Sequence, residues 1–164
     1  MIFVTVGTHE QPFNRLIQKV DELKGDGVFS DEVIMQTGFS DYHPRNCKYE
    51  DFISHDDMQR YVDGARVVIT HGGPSSFIMP LQVHKIPIVV PRLKEFDEHV
   101  NDHQLDFARQ VANRKKNILV VEDIDKLADV IVNYDSEVAK LNGNIDSNNK
   151  RFNKTLEKIV NGLF

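Results

Sequence analysis

Residues 66–81 read Arg66-Val67-Val68-Ile69-Thr70-His71-Gly72-Gly73-Pro74-Ser75-Ser76-Phe77-Ile78-Met79-Pro80-Leu81. A run of β-branched residues ends in two glycines and a proline, and apolar residues at helical spacing follow. The pattern predicts a buried strand, a tight turn and a helix opened by Pro74, which has no N–H to satisfy in a first turn. The same unit recurs on either side. Upstream, Ile2–Val6 runs into Gly7-Thr8, and Phe13, Leu16, Ile17, Val20 and Leu23 follow at helical spacing. Downstream, Ile86–Val90 runs into Pro91, a polar loop and an amphipathic stretch holding Val100, Leu105, Phe107, Ala108 and Val111.

The intervals fill consistently. Glu32–Gln36 and Lys48–Ile53 read as strands, and Asp56–Gly64 as a helix with an acidic cap at Asp56 or Asp57 and a glycine stop. Asn117–Val121 is the last strand and Asp123–Val132 the helix behind it. Leu141–Lys150 reads as a loop, and the stripe Phe152, Leu156, Ile159, Val160 and Leu163 predicts a C-terminal helix over about 147–162 that packs back on the domain. Continuous apolar strands alternating with helices require a parallel sheet covered on both faces. The expected fold is a single α/β domain, Rossmann-like and doubly wound, spanning 1–164.

Composition narrows the function. At 164 residues, 40% hydrophobic and 27% charged, the chain has material for one core. With 20 Lys+Arg against 25 Asp+Glu its formal charge is −5, which argues against a nucleic-acid partner, since that needs a basic footprint. A lone cysteine, Cys47, excludes an internal disulfide framework and a cysteine-rich zinc site, and suits a reducing compartment. Neither a targeting segment nor a membrane span is visible, so a soluble, cytoplasmic protein is expected.

A doubly wound sheet binds ligands beyond the carboxyl ends of its strands, at a topological switch point. In the first strand-to-helix turn, Gly7 permits close backbone approach and Thr8 and His9 follow it; alone, that is an ordinary turn. The second, His71-Gly72-Gly73-Pro74-Ser75-Ser76, reads as a diphosphate cradle: glycine amides, a helix N-terminus and two hydroxyls in succession. It lacks the lysine of a P-loop and the spacing of GxGxxG, which disfavours ATP hydrolysis and a nicotinamide site. The third, Val90–Gln104, holds Asn101, Asp102 and Gln104, whose side chains suit sugar hydroxyls, and Arg92 or Lys94 for phosphate. His99 and His103 are spaced i, i+4, but no third ligand is apparent and no metal site is expected. His43, His55 and His84 read as surface residues; His9 and His71 are the candidates for general base or phosphate contact.

Three segments in this order carry a family resemblance: Met1–Phe13 (MIFVTVGTHEQPF), His71–Ser76 (HGGPSS) and Ile86–Phe107 (IPIVVPRLKEFDEHVNDHQLDF). Through about Val121 the chain resembles the C-terminal domain of family 28 glycosyltransferases, the nucleotide-sugar-binding half of the two-domain GT-B fold. It is most similar to free-standing versions: bacterial proteins of exopolysaccharide and capsule assembly, and the catalytic subunit of the eukaryotic dolichyl-linked chitobiose synthase. The resemblance implies a UDP-sugar held at its diphosphate by His71, Gly72, Gly73, Ser75 and Ser76. Asn101, Asp102, His103 and Gln104 would lie near ribose or sugar, with Gly7, Thr8 and His9 lining the same cleft. It further implies transfer of a hexose to a polyprenyl-diphosphate-linked sugar. The chemistry expected is an inverting displacement without a cofactor, with His9 as base unless the partner supplies that group. A membrane-associated partner subunit would supply the other half of the cleft and hold the chain at the inner face of the membrane. Without that partner the exposed cleft face favours self-association. One position departs: relatives often place a glutamate for the ribose after the glycine turn, where this chain has Ile78-Met79-Pro80-Leu81.

The rival reading is a non-catalytic module that binds a nucleotide sugar or stabilises a partner, favoured by the missing carboxylate near Met79. A nucleotide-sugar epimerase is disfavoured by the absence of GxGxxG and of Tyr-x-x-x-Lys at Tyr42 or Tyr61.

Overall fold

The computed structural model describes residues 1–141; the expected C-terminal helix and most of the loop before it lie outside the described residues. Six parallel strands form one sheet: β1 (Ile2–Thr5), β2 (Val33–Gln36), β3 (Lys48–Glu50), β4 (Val67–His71), β5 (Ile88–Val90) and β6 (Leu119–Val120). Their spatial order is β3-β2-β1-β4-β5-β6, so the chain winds outward one way from β1 and returns to start the other half at β4. The sheet is doubly wound and Rossmann-like, and its switch point lies between β1 and β4. Thr5 pairs with Thr70 across that junction, so the turns after the two strands begin side by side.

Among the described residues the α-helices are α1 (Asn14–Gly25), α2 (His55–Gly64), α3 (Pro74–Gln82), α4 (His103–Lys115), α5 (Leu127–Val132) and α6 (Tyr134–Ala139). One face of the sheet buries Ile2, Val4, Val33, Val67, Ile69 and Ile88 against Leu16, Ile17 and Val20 of α1 and Leu127 and Ile131 of α5. The other buries Phe3 and Val68 against Val62 of α2, and Val89 against Phe77 and Leu81 of α3 and Ala108 and Val111 of α4. The central strands are apolar on both faces because both are covered. Edge strand β3 is three residues long, exposed and charged, which blunts edge-to-edge pairing.

Several boundaries differ from expectation. Helix α2 is capped by Ser54, whose hydroxyl accepts from the Asp57 N–H, and not by Asp56 or Asp57; those two carboxylates occupy the first turn, where the dipole favours them. Val100 is 66% exposed and precedes α4, so it contributes nothing to the stripe that Ala108 and Val111 form. The stretch from Asp123 begins as a single 3-10 turn before α5. Helix α6 was not anticipated. It docks through Tyr134, whose buried hydroxyl donates to the Ile86 carbonyl at 2.6 Å; burial pushes that phenol up to about 12. Among the described residues no helix is long and apolar enough to cross a membrane.

Candidate functional site

The two turns at the switch point are built around one imidazole. Gly7, at φ +76°, and Gly73 both abut the His71 ring, and a Cβ on either would overlap it. The glycines that read as room for a ligand are room for this side chain. Each turn is also held by a glutamine. Gln36 Oε1 accepts from the Thr5 hydroxyl at 2.6 Å and the Gly7 N–H at 3.2 Å, while its amide donates to the carbonyls of Gly7 (3.0 Å) and Asp51 (2.9 Å). Gln104 Oε1 accepts from the N–H groups of Gly72 and Arg92, both at 3.1 Å, while its amide faces His71 Nδ1 at 3.3 Å.

This corrects the expected cradle. The Gly72 N–H is taken by Gln104, the Gly73 N–H donates to His71 Nδ1 at 3.1 Å, and the Ser76 N–H bonds the Gly73 carbonyl. Neither glycine amide is free for a diphosphate. The groups that remain are the Ser75 N–H and the two serine hydroxyls, at the N-terminus of a nine-residue helix. His71 offers no free nitrogen either: Nδ1 is engaged as above and Nε2 lies 2.8 Å from Ser76 Oγ. Burial, reinforced by the nearby Arg92 charge, pushes His71 down to about 3, so the ring is neutral and unsuited to act as a base at neutral pH.

Beside this helix start lies a cleft of about 490 Å³ between α2 and α3, within the range of small-molecule sites. Ser75, Ser76, Met79 and Gln82 line it along one face of α3; Ile53, His55, Met58 and Val62 form the opposite wall, with Thr5 and Ile78 completing it. Met79 stands four residues after Ser75 and three after Ser76, and Gln82 seven after Ser75, which puts the hydroxyls and the thioether of Met79 on one stripe. Sequence reading singled out none of Ile53, Met58 and Val62, and took His55 for a surface residue. No Asp or Glu is among the lining residues.

The loop after β5 closes the other side of the switch point. Arg92, expected at a phosphate, is fully buried: its guanidinium donates to the carbonyls of Gln11 (2.6 Å), Glu98 (3.0 Å) and Val6 (2.7 Å) and sits 5.1 Å over the Phe13 ring. Burial pushes it down to about 10, still cationic at neutral pH, and it ties the two loops together instead of meeting a ligand. Beneath it, buried Glu98 accepts both nitrogens of a fork from Arg15, at 3.0 and 2.9 Å. Gln104, expected at a sugar, spends its amide on the turn. Asp102 Oδ1 accepts from the Lys94 N–H and Asn101 Oδ1 from the His103 N–H, so both side chains fold back on the loop. His103 is exposed at the start of α4, and His99 lies before that helix, so the two histidines share no helical face.

Thr8 is exposed, and His9 stacks on His99 with ring centroids 4.5 Å apart. His9 Nε2 is 2.8 Å from Gln11 Oε1, and the Gln11 amide donates to the Asp97 carbonyl, which fixes Oε1 as an acceptor. The His9 proton therefore sits on Nε2, leaving Nδ1 as the basic nitrogen.

Residues 1–160 match the model of the glycosyltransferase family 28 C-terminal domain. The chain belongs to this family. Solved structures agree on the fold. The glycosyltransferase SnogD from Streptomyces nogalater is 17% identical with a TM-score of 0.57, over 97% of this chain and 43% of its own. The glycotransferase of kitacinnamycin is 14% identical with a TM-score of 0.60, over 94% and 38%. CalG4, the calicheamicin glycosyltransferase, is also 14% identical with a TM-score of 0.60, over 96% and 38%. This family 28 domain thus spans about two-fifths of the length of those enzymes. No curated protein sequence matches the chain.

Proposed function

We propose that this family 28 domain is the UDP-sugar-binding, catalytic subunit of a two-component inverting glycosyltransferase. It would add a hexose to a polyprenyl-diphosphate-linked sugar, in exopolysaccharide or capsule synthesis, as the chitobiose-synthase likeness suggests. The observation that carries the reading is the stripe along α3. The helix N-terminus and the Ser75 and Ser76 hydroxyls suit a diphosphate, Met79 lies one turn on where a pentose follows, and Gln82 with the α2 wall gives a base its apolar slot. The sugar then points toward His9, His99, His103, Asn101 and Asp102. His9 Nδ1 is the base that takes the acceptor proton, and the dipole of α3 with the Ser75 N–H stabilises charge on the leaving diphosphate.

A displacement at the anomeric carbon needs a cleft closed to water, and this domain supplies one wall. The rim around the strand ends exposes Phe39, Phe52, Phe96 and Val100, which suits burial by the membrane-associated partner. Calorimetric titration with UDP tests donor binding, with Ser75→Ala/Ser76→Ala expected to lose most of it. In the assembled complex, His9→Ala should cut turnover at least about a hundredfold; unchanged turnover removes His9 from the chemistry. The lining without a carboxylate favours the second reading, a binding module without catalysis. Turnover by the complex that His9→Ala abolishes while UDP binding and assembly are kept separates the two.

A further inference from the structure

The hydrogen-bond pattern around His71 fixes where its proton is. Gln104 Oε1 must be the oxygen of its amide, because two backbone N–H groups point at it. Its nitrogen then donates to His71 Nδ1, as does the Gly73 N–H, so Nδ1 carries the lone pair. A neutral ring has its proton on Nε2, where it donates to Ser76 Oγ at 2.8 Å. That hydroxyl accepts from behind with one of its two lone pairs and so cannot donate to the ring, which turns its own proton away from His71, toward the cleft that Ser76 lines.

We propose that Gln104 and His71 act as a positioning relay that holds the Ser76 hydroxyl as a hydrogen-bond donor to a phosphate oxygen of the nucleotide. The inference rests on the nucleotide reading above and adds an orientation to it. His71 and Gln104 act here through Ser76: they decide which way one hydroxyl faces. A serine whose proton is free to turn toward the protein greets an anion with lone pairs half the time, whereas a relay-held serine is preorganised for it. The relay also joins the loop after β5 to the start of α3, so the sugar-side loop and the phosphate-side hydroxyl are set by one side chain, Gln104.

The test compares UDP with uridine, which lacks the phosphates, by NMR titration of the full chain. Ser76→Ala and His71→Asn should each weaken UDP about tenfold, the size of one charge-assisted hydrogen bond, and leave uridine unchanged. Asparagine keeps a polar group near the Nδ1 position but falls short of Ser76. His71→Gln places an amide N–H near the Nε2 position and should recover most of the UDP affinity. The combination of His71→Asn with Ser76→Ala should be no weaker than Ser76→Ala alone. Long-range proton–nitrogen spectra of the wild type should show Nε2 protonated and Nδ1 bare.

Equal losses for UDP and uridine would mean that the relay residues only shape the cleft. Ser76→Ala binding UDP as tightly as wild type, or a proton found on Nδ1, would overturn the relay while leaving nucleotide binding intact. A wild type that ignores UDP overturns the nucleotide reading itself, and the relay with it.

Discussion

The turns after β1 and β4 sit side by side at the switch point, and each is clamped by a glutamine, but the two clamps are built into different material. Gln36 ends a central strand, is 1% exposed, and holds both the N–H and the carbonyl of Gly7 while bonding Thr5 and Asp51. Gln104 stands at the start of α4, partly exposed, and reaches Gly72 and His71 from the far side of a loop. The first clamp cannot open without disturbing the sheet. The second can open with a loop, which has fewer buried contacts to lose. One turn is therefore built into the sheet, and the other is held from a loop.

The scaffold side should break hardest. Gly7→Ala puts a methyl into the His71 ring at a backbone φ of +76°, so both overlap and left-handed strain act together. We expect a loss of about 3–5 kcal/mol in urea unfolding, combining overpacking with the αL penalty. In a His71→Ala background the same change should cost only the strain, about 1–2 kcal/mol. If the cost does not fall, the imidazole is not what Gly7 makes room for. Gln36→Leu should follow at about 2–4 kcal/mol, because it takes the partner from the Gly7 carbonyl and from the Thr5 hydroxyl in a largely buried place.

The same contrast explains what could be read from sequence. Strand-helix alternation, the apolar stripes of α1 and α3 and the Pro74 start were all legible, because burial on a parallel sheet leaves continuous apolar runs. The turns were legible as places and not as contacts. His71-Gly72-Gly73 looked like amides waiting for phosphate; Gln104, 31 residues downstream of Gly73, and His71 itself had already taken them. Arg92 looked like a phosphate ligand because a lone arginine in a polar loop gives no sign of three carbonyls closing around it. The α2 wall was missed because Ile53, Met58 and Val62 have the composition of core, and only the gap between two helices makes them a cleft. Helix α6 carries a single anchor, Tyr134, too little to show a periodicity.

Acid should probe the junction of the two turns. His71 is held near 3 in the folded chain against an ordinary value of 6.5, so on acidification the unfolded chain takes up a proton that the folded chain refuses. Stability present above the unfolded value is lost as pH falls through it and continues to fall toward the folded one. Between about pH 7.5 and 5 this amounts to about 2 kcal/mol. His71→Gln removes the titrating group and should flatten the slope of unfolding free energy against pH in that window. His99, also shifted down by burial and by His9, adds slope in the same direction. An unchanged slope in the variant would show that His71 titrates normally and that the imidazole is not sealed between the turns.

The smallest change in stability should come from Gln104→Ala. Its partners, the Gly72 and Arg92 amides and His71 Nδ1, lie behind a side chain that is itself partly exposed, so water can follow when the amide is removed. We expect about 1 kcal/mol, well below Gln36→Leu. Binding should invert that ranking. The Gln104 variant removes one of the two donors that hold the His71 Nδ1 lone pair, leaving only the Gly73 N–H, and so loses UDP affinity several-fold with uridine unaffected, whereas the Gln36 variant, measured below its unfolding transition, should bind both as the wild type does. Should the two glutamines prove equally costly to stability and equally silent in binding, both turns are scaffold, and the phosphate-side hydroxyl is set by α3 alone.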